Sequence, residues 1–102
     1  MFVGVGRVEF FIHHANSLKA KRQVVRKLTD QVRNKFNIAC AEVDAGNLWQ
    51  RTVIGVSVVG NDASLVNAQL DKIVNYMDSL HLAEMINQEM EIIQYADGER
   101  FP

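Results

Sequence analysis

Cysteine and proline each occur only once in this chain of 102 residues, and no apolar run is long enough to span a bilayer. A single cysteine excludes an internal disulfide and is typical of a reducing compartment. No basic stretch precedes an apolar segment near the start of the sequence, so we expect no signal peptide and a cytoplasmic location. With six glycines and no low-complexity segment, the chain is unlike fibrous or disordered proteins.

The charged residues are unevenly distributed, although the net charge is only −1. Residues 1–36 carry a net charge of +6, and residues 37–102 carry a net charge of −7. This separation favours an anionic partner on one side or head-to-tail association. Chance segregation of solvated surface charges explains it about equally well.

Hydrophobic periodicity predicts four strands and two helices. Strands are predicted at 2–13, 38–43, 50–59 and roughly 89–95, and a helix is predicted from a cap at Asn16 or Ser17 to about Phe36. A second helix follows the break at 60–62, with apolar positions from Val66 to Leu80, and the tail 97–102 is expected to fray. We predict a single α+β domain over 1–102, a ferredoxin-like β-α-β-β-α-β plait with a four-stranded antiparallel sheet and both helices on one face.

The other face of this sheet remains open in a monomer. The first and third strands are neighbours at its centre, and their outward positions carry several apolar side chains, namely Val3, Val5, Phe11, Val53 and Val59. Such a patch usually marks an interface, so we expect a homo-oligomer. The alternative is that scattered exposed valines have no significance. The third strand has no aromatic residue on this face, which argues against a base-stacking RNA-recognition motif.

The first helix carries a basic stripe. Lys19, Arg22, Arg26 and Arg33 fall within about 60° of arc on a helix. Cations aligned in this way can follow phosphates, which indicates RNA or a ribosomal subunit as the partner. The residues expected to contact nucleic acid are Lys19, Lys21, Arg22, Arg26, Arg33, Arg7 and Arg51. The alternative is a solvated helix face whose long side chains cover the edge of the core.

No arrangement of residues predicts catalysis. Cys40 stands between two alanines in an apolar strand, as a small core residue does, and Ser17 is better explained as a helix cap. His13 and His14 are adjacent and point to opposite faces of an extended strand, so they do not suit one metal ion. We expect no enzyme activity, catalytic residue, metal, cofactor, small-molecule substrate or membrane partner.

Trp49 allows two interpretations. It follows a polar turn, and its ring either folds over the open end of the core or stands exposed as an anchor for a partner.

Several segments together resemble the YlxP-like family of small bacterial proteins. The resemblance covers residues 3–62 in order, and its most specific segments are Ser17-Leu18-Lys19-Ala20-Lys21-Arg22 and Leu48-Trp49-Gln50-Arg51. The family usually carries an acidic residue shortly after the Gln-Arg pair of the third strand, whereas this chain has Val53 at that position. The resemblance implies a ferredoxin-like domain of unknown function. Because genes of this family often neighbour those for translation initiation and ribosome maturation factors, it also implies a link to ribosomes or RNA. It directs attention to Lys19, Lys21, Arg22, Trp49 and Arg51.

Overall fold

A computed structural model describes residues 1–96 of the chain. Its elements are β1 (Phe2–Phe11), α1 (Leu18–Lys35), β2 (Ala39–Asp44), β3 (Arg51–Gly60), α2 (Ala63–Ser79) and β4 (Glu84–Gln94). The strands form one antiparallel sheet in the order β2-β3-β1-β4. The predicted ferredoxin-like plait is therefore confirmed.

The core lies between one face of the sheet and the two helices, because each element presents a row of apolar side chains to that layer. Its fully buried members include Val8 and Phe10 of β1, Leu28 and Val32 of α1, Ile54 of β3, and Leu70, Ile73 and Met77 of α2. At Gly4 a Cβ atom would lie 2.6 Å from the side chain of Val66, so the absence of a side chain lets α2 approach β1 closely.

Both helices begin with a side-chain cap. The Ser17 hydroxyl accepts a hydrogen bond of 3.0 Å from the Ala20 amide, which confirms its predicted role. Asp62 caps α2 by accepting a bond of 3.1 Å from the Leu65 amide. This bond, reinforced by the Ser64 hydroxyl, lowers the pKa of Asp62. Within the described part of the chain, neither helix is long and apolar enough to cross a membrane.

The strand boundaries differ from the predicted ones at two places. β1 ends at Phe11 rather than at His13, and β4 begins at Glu84 rather than near Glu89. The first part of β4 has little strand character of its own, and its pairing with β1 holds it in the sheet, with a bulge at Ile86. The tail 97–102, for which fraying was predicted, lies outside the described residues.

The position of Lys21 contradicts the prediction that this residue contacts nucleic acid. Its side chain is 1% exposed, so it does not reach solvent as a phosphate-binding residue would. The Lys21 Nζ atom lies 3.0 Å from a carboxylate oxygen of Glu42 and donates a hydrogen bond to the carbonyl of Ala45. The same Glu42 oxygen accepts a bond from the hydroxyl of buried Thr52. This group, the Lys21 network, joins the first turn of α1 to β2, β3 and the connection between them.

Cys40 is buried on the helix-covered face of β2, as predicted for a core residue. Burial raises the pKa of its thiol, and the nearby charge of Arg33 opposes this effect only in part. The thiolate is the reactive form, so this environment disfavours a nucleophile.

We expect Lys21→Ala to lower the free energy of unfolding by about 2–4 kcal/mol, because it leaves the Glu42 carboxylate without its cation and opens a cavity. Lys27→Ala is the matched control on the same helix, since Lys27 is exposed, and it should change stability by less than about 0.5 kcal/mol. Urea denaturation measures both values. Equal effects of the two substitutions would contradict the structural role of Lys21.

Native Cys40 should react with iodoacetamide at pH 8 at least about tenfold more slowly than the same thiol in guanidinium chloride, because burial restricts access and reduces the thiolate fraction. Mass spectrometry of timed samples measures the two rates. Similar rates in the folded and unfolded protein would show that the thiol is accessible.

Candidate nucleic-acid interface

Helix α1 exposes cations on the side that faces away from the core. Leu28 and Val32 are buried and define the inner side of the helix. Lys19, Arg22 and Arg26 are exposed and lie within about 60° of arc. The structure therefore brings together the N-terminal half of the predicted basic stripe.

Four exposed cations form what we term the basic surface, namely Lys19, Arg22, Arg26 and Lys27. Among residues 1–96, no carboxylate lies within 4.0 Å of any of these four side chains. Arg22 and Arg26 are four residues apart, a spacing at which like charges on a helix repel each other by a few tenths of a kcal/mol. A polyanion would relieve this repulsion, so the arrangement is chemically suited to phosphates.

The helix dipole adds to the repulsion among these cations at the N-terminal end of α1. The first turn contains no acidic residue and carries Lys19, although the positive end of the helix dipole lies there. Cations at this end are destabilising unless an anion is nearby.

The C-terminal cations of α1 are engaged within the chain. Arg33 donates a hydrogen bond to the carbonyl of Cys40, and its guanidinium lies 3.6 Å from Asp30. Lys35 places its ammonium 4.9 Å from the ring centre of Tyr76. Arg33 therefore lies at the margin of the predicted phosphate-binding surface, with its guanidinium already partnered.

Arg7 and Arg51 do not extend the basic surface as predicted. Both lie on the open face of the sheet, and the helices cover the opposite face. The guanidinium of Arg51 is 2.7 Å from the carboxylate of Glu9, and that of Arg7 is 3.5 Å from the carboxylate of Asp44. Their positions are a consequence of strand alternation, which the sequence already contained.

The predicted oligomer interface is only partly exposed. Val59 is 67% exposed, and Val3, Val5 and Phe11 are half-buried on the open face. Val53 is 3% exposed, so its prediction as a contact residue is wrong.

The burial of Val53 follows from its neighbours in the sheet. In register, Val53 lies between Glu9 of β1 and Asp44 of β2, and each of these carboxylates binds an arginine of the same face. The two ion pairs occupy the surface around the valine.

Two exposed apolar residues on the open face were not predicted. Ile93 pairs with Val3, which places both side chains on the same face. Val43 lies over Gly55, where a Cβ atom would be 2.8 Å from a Val43 methyl group. The strand order, combined with the alternation of side chains, would have placed Ile93 there. The face on which Val43 lies could not be predicted in this way, because the pairing of β2 with β3 is irregular between Glu42 and Asp44.

The open face also contains a shallow apolar groove of about 400 Å³. Residues of β1, β2 and β3 line it, and they include Val5, Arg7, Ala39, Ala41, Val43, Gly55 and Ser57. The groove shows no cluster of polar groups that would orient a small substrate.

Leu48 and Trp49 are each 53% exposed in the connection between β2 and β3. The ring of Trp49 therefore does not close the end of the core. The interpretation of Trp49 as a lid on the core is therefore wrong, and its role as an anchor for a partner stays a prediction.

All three histidines of the chain meet at one cleft of about 540 Å³, which sequence reasoning missed. His13, His14 and His81 line it together with Asp78 and Glu84. The Nε2 atom of His13 lies 2.9 Å from a carboxylate oxygen of Glu84. In residues 1–96 no three such side chains are arranged to hold a metal ion. The predicted topology places the end of β1 beside the start of β4. Histidines near these two positions could therefore have been predicted to lie close together.

Comparison with known proteins agrees with the family resemblance. A family model described as protein of unknown function (DUF503) matches residues 3–90. The uncharacterized protein YlxP of Bacillus subtilis (strain 168) is 32% identical over 77 residues, which cover 76% of this chain and 84% of that relative. The family match extends through both helices and into β4. The chain thus belongs to the DUF503, or YlxP-like, family of proteins of unknown function.

Proposed function

We propose that this protein is a non-enzymatic RNA-binding module that contacts phosphates through the basic surface of α1. The observation that carries the proposal is that Lys19, Arg22, Arg26 and Lys27 are exposed and have no carboxylate partner among the described residues. Other cations of the chain, including Lys21 and Arg51, are neutralised by acids within the fold. Lys72 of α2 also has no carboxylate partner among these residues, but only α1 groups four such cations on one helix. This grouping supports an anionic partner for α1.

Ribosomal RNA is the first target to test, because the family resemblance implies a link to ribosomes. RNA presents phosphates in a regular series, and cations that follow one helix face can contact several of them. Four phosphate contacts would give a slope of about −3 to −4 when the logarithm of the association constant is plotted against the logarithm of the salt concentration. Contacts to phosphates carry no sequence information directly, so we expect the phosphate contacts of the basic surface to provide affinity rather than sequence preference.

Arg22→Glu/Arg26→Glu should weaken binding to ribosomal subunits and to a short structured RNA by more than about tenfold and should reduce the salt slope by about 2. Filter binding or fluorescence anisotropy across a salt series measures both quantities. The helix should remain folded because both positions are exposed.

A control variant distinguishes the effect of the local surface on RNA binding from the effect of net charge. Arg26→Glu and Lys72→Glu change the net charge equally, and Lys72 is an exposed residue of α2. Only the α1 substitution should reduce affinity. Absence of RNA binding at low salt, or equal losses in the two variants, would refute the proposal.

A second candidate function is self-association through the open face of the sheet. It is favoured by one observation, the exposure of Val43, Val59 and Ile93 on this face beside the alanines of β2. Several exposed apolar side chains on one face are typical of protein interfaces. The two functions are compatible because the basic surface lies on the other side of the sheet.

Sedimentation at micromolar concentration should give a mass above the 11.5 kDa of one chain. Val59→Glu/Ile93→Glu should shift the distribution toward the monomer, because it places unpaired carboxylates in the interface. Leu65→Glu is the control, since Leu65 is equally exposed but lies on α2. A wild-type protein that sediments as a monomer at tens of micromolar would exclude this function.

A further inference from the structure

We infer that Trp49 stacks on an unpaired base of the RNA whose phosphates contact α1, so that the preferred ligand is a stem flanked by single-stranded nucleotides. This inference rests on the proposed function. It assigns a second contact and a class of RNA to the same site. It draws on the position of the β2–β3 connection, the exposure of its apolar residues and the charges around it.

The β2–β3 connection lies at the N-terminal end of α1. The ammonium of Lys21, in the first turn of that helix, donates to the carbonyl of Ala45. Lys19 and Arg22 of the basic surface lie in the same N-terminal part of α1. Trp49 and the basic surface therefore lie at the same end of the molecule, and we expect an RNA that contacts this end of α1 to reach the connection.

Backbone hydrogen bonds anchor the connection on both sides of Trp49. The Leu48 amide donates to the carbonyl of Ala45 at 3.2 Å, and the Ile12 amide donates to the carbonyl of Gln50 at 2.8 Å. Ala45 itself has a φ of 62°, an uncommon conformation for a residue with a side chain, and its amide bonds to Asp44 at 2.7 Å. Trp49 is thus presented on an anchored segment, which reduces the entropy lost when a ligand binds.

The chemistry of the segment favours a nucleobase. An indole ring offers a broad apolar face, and aromatic stacking is a common mode of binding single-stranded nucleic acid. The acids that precede the connection are neutralised, Glu42 by Lys21 and Asp44 by Arg7. The basic surface lies beyond them on α1. An exposed apolar ring at the same end of the fold as uncompensated cations matches a base and its phosphates more closely than it matches an apolar peptide.

The neighbouring connections add polar rings to this end of the sheet. His13 follows β1, and its carbonyl accepts a bond of 3.3 Å from the side chain of Gln50. His14 and His81 line the adjacent cleft. The rings of His14 and His81 offer hydrogen bonds to unpaired bases, whereas the ring of His13 is bonded to Glu84.

Trp49 is the single tryptophan of the chain, so its fluorescence reports on this contact without a label. The experiment titrates the wild-type protein with two RNAs of equal length, one a fully paired hairpin and the other a shorter hairpin with a single-stranded extension. We expect the extended RNA to quench Trp49 and to bind about tenfold more tightly, in line with one stacked base. The paired hairpin should bind in a salt-dependent manner with little quenching.

Trp49→Ala should abolish the preference for the extended RNA, and Trp49→Phe should retain part of the preference. Tyr95→Ala is the matched control, because Tyr95 is an equally exposed aromatic residue just after β4. Anisotropy of labelled RNA measures all three variants.

Salt-dependent binding of both RNAs without quenching, or without a preference, would overturn the inference and leave the proposed function intact. Failure of both RNAs to bind would overturn the two together. A change in Trp49 emission on addition of ribosomal proteins but not of RNA would assign the segment to a protein partner and would also overturn the inference.

Discussion

The ion pair between buried Lys21 and partly exposed Glu42 positions the first turn of α1 beside the β2–β3 connection. It joins the first turn of α1 to the middle of β2, and through Thr52 and Ala45 it also holds β3 and the β2–β3 connection. A charge pair of this kind offers little net stability over an apolar pair of equal volume, because removing both ions from water is costly. Its hydrogen bonds depend on direction, so they fix the orientation of α1 relative to the β2–β3 connection. Apolar packing alone would define that orientation less exactly.

The sheet separates two surfaces with different chemistry. On the helical side, the basic surface has charges that the described residues do not neutralise. On the open side, Arg7 and Arg51 each bind a carboxylate, Val59 and Ile93 are exposed, and Glu89 and Glu91 of β4 lie in register with Arg7 and Val5. The sequence therefore forms one surface suited to an anion and another that combines apolar groups with carboxylates. This division explains why a single chain offers two compatible candidate functions.

Local periodicity was sufficient to predict the fold, because residues such as Leu28 and Val32 recur at the helical repeat and the strands alternate. It could not predict the burial of Lys21, since a lysine on an amphipathic helix is normally solvated and its acidic partner lies 21 positions later in the sequence. Val53 was misjudged for a similar reason, because the ion pairs around it join three different strands. The start of β4 depended on pairing with β1, a contact between distant parts of the chain.

The placement of α1 behind the sheet has a consequence for any dimer that forms through the open face. The two basic surfaces would then lie on opposite outer sides of the assembly, related by the two-fold axis. One RNA could engage both only if it were long or folded enough to reach around the dimer, and its second contact would gain from the high effective concentration created by the first. Short RNAs would bind each subunit independently. The protein would in that case discriminate among RNAs by their size and overall shape as well as by local chemistry.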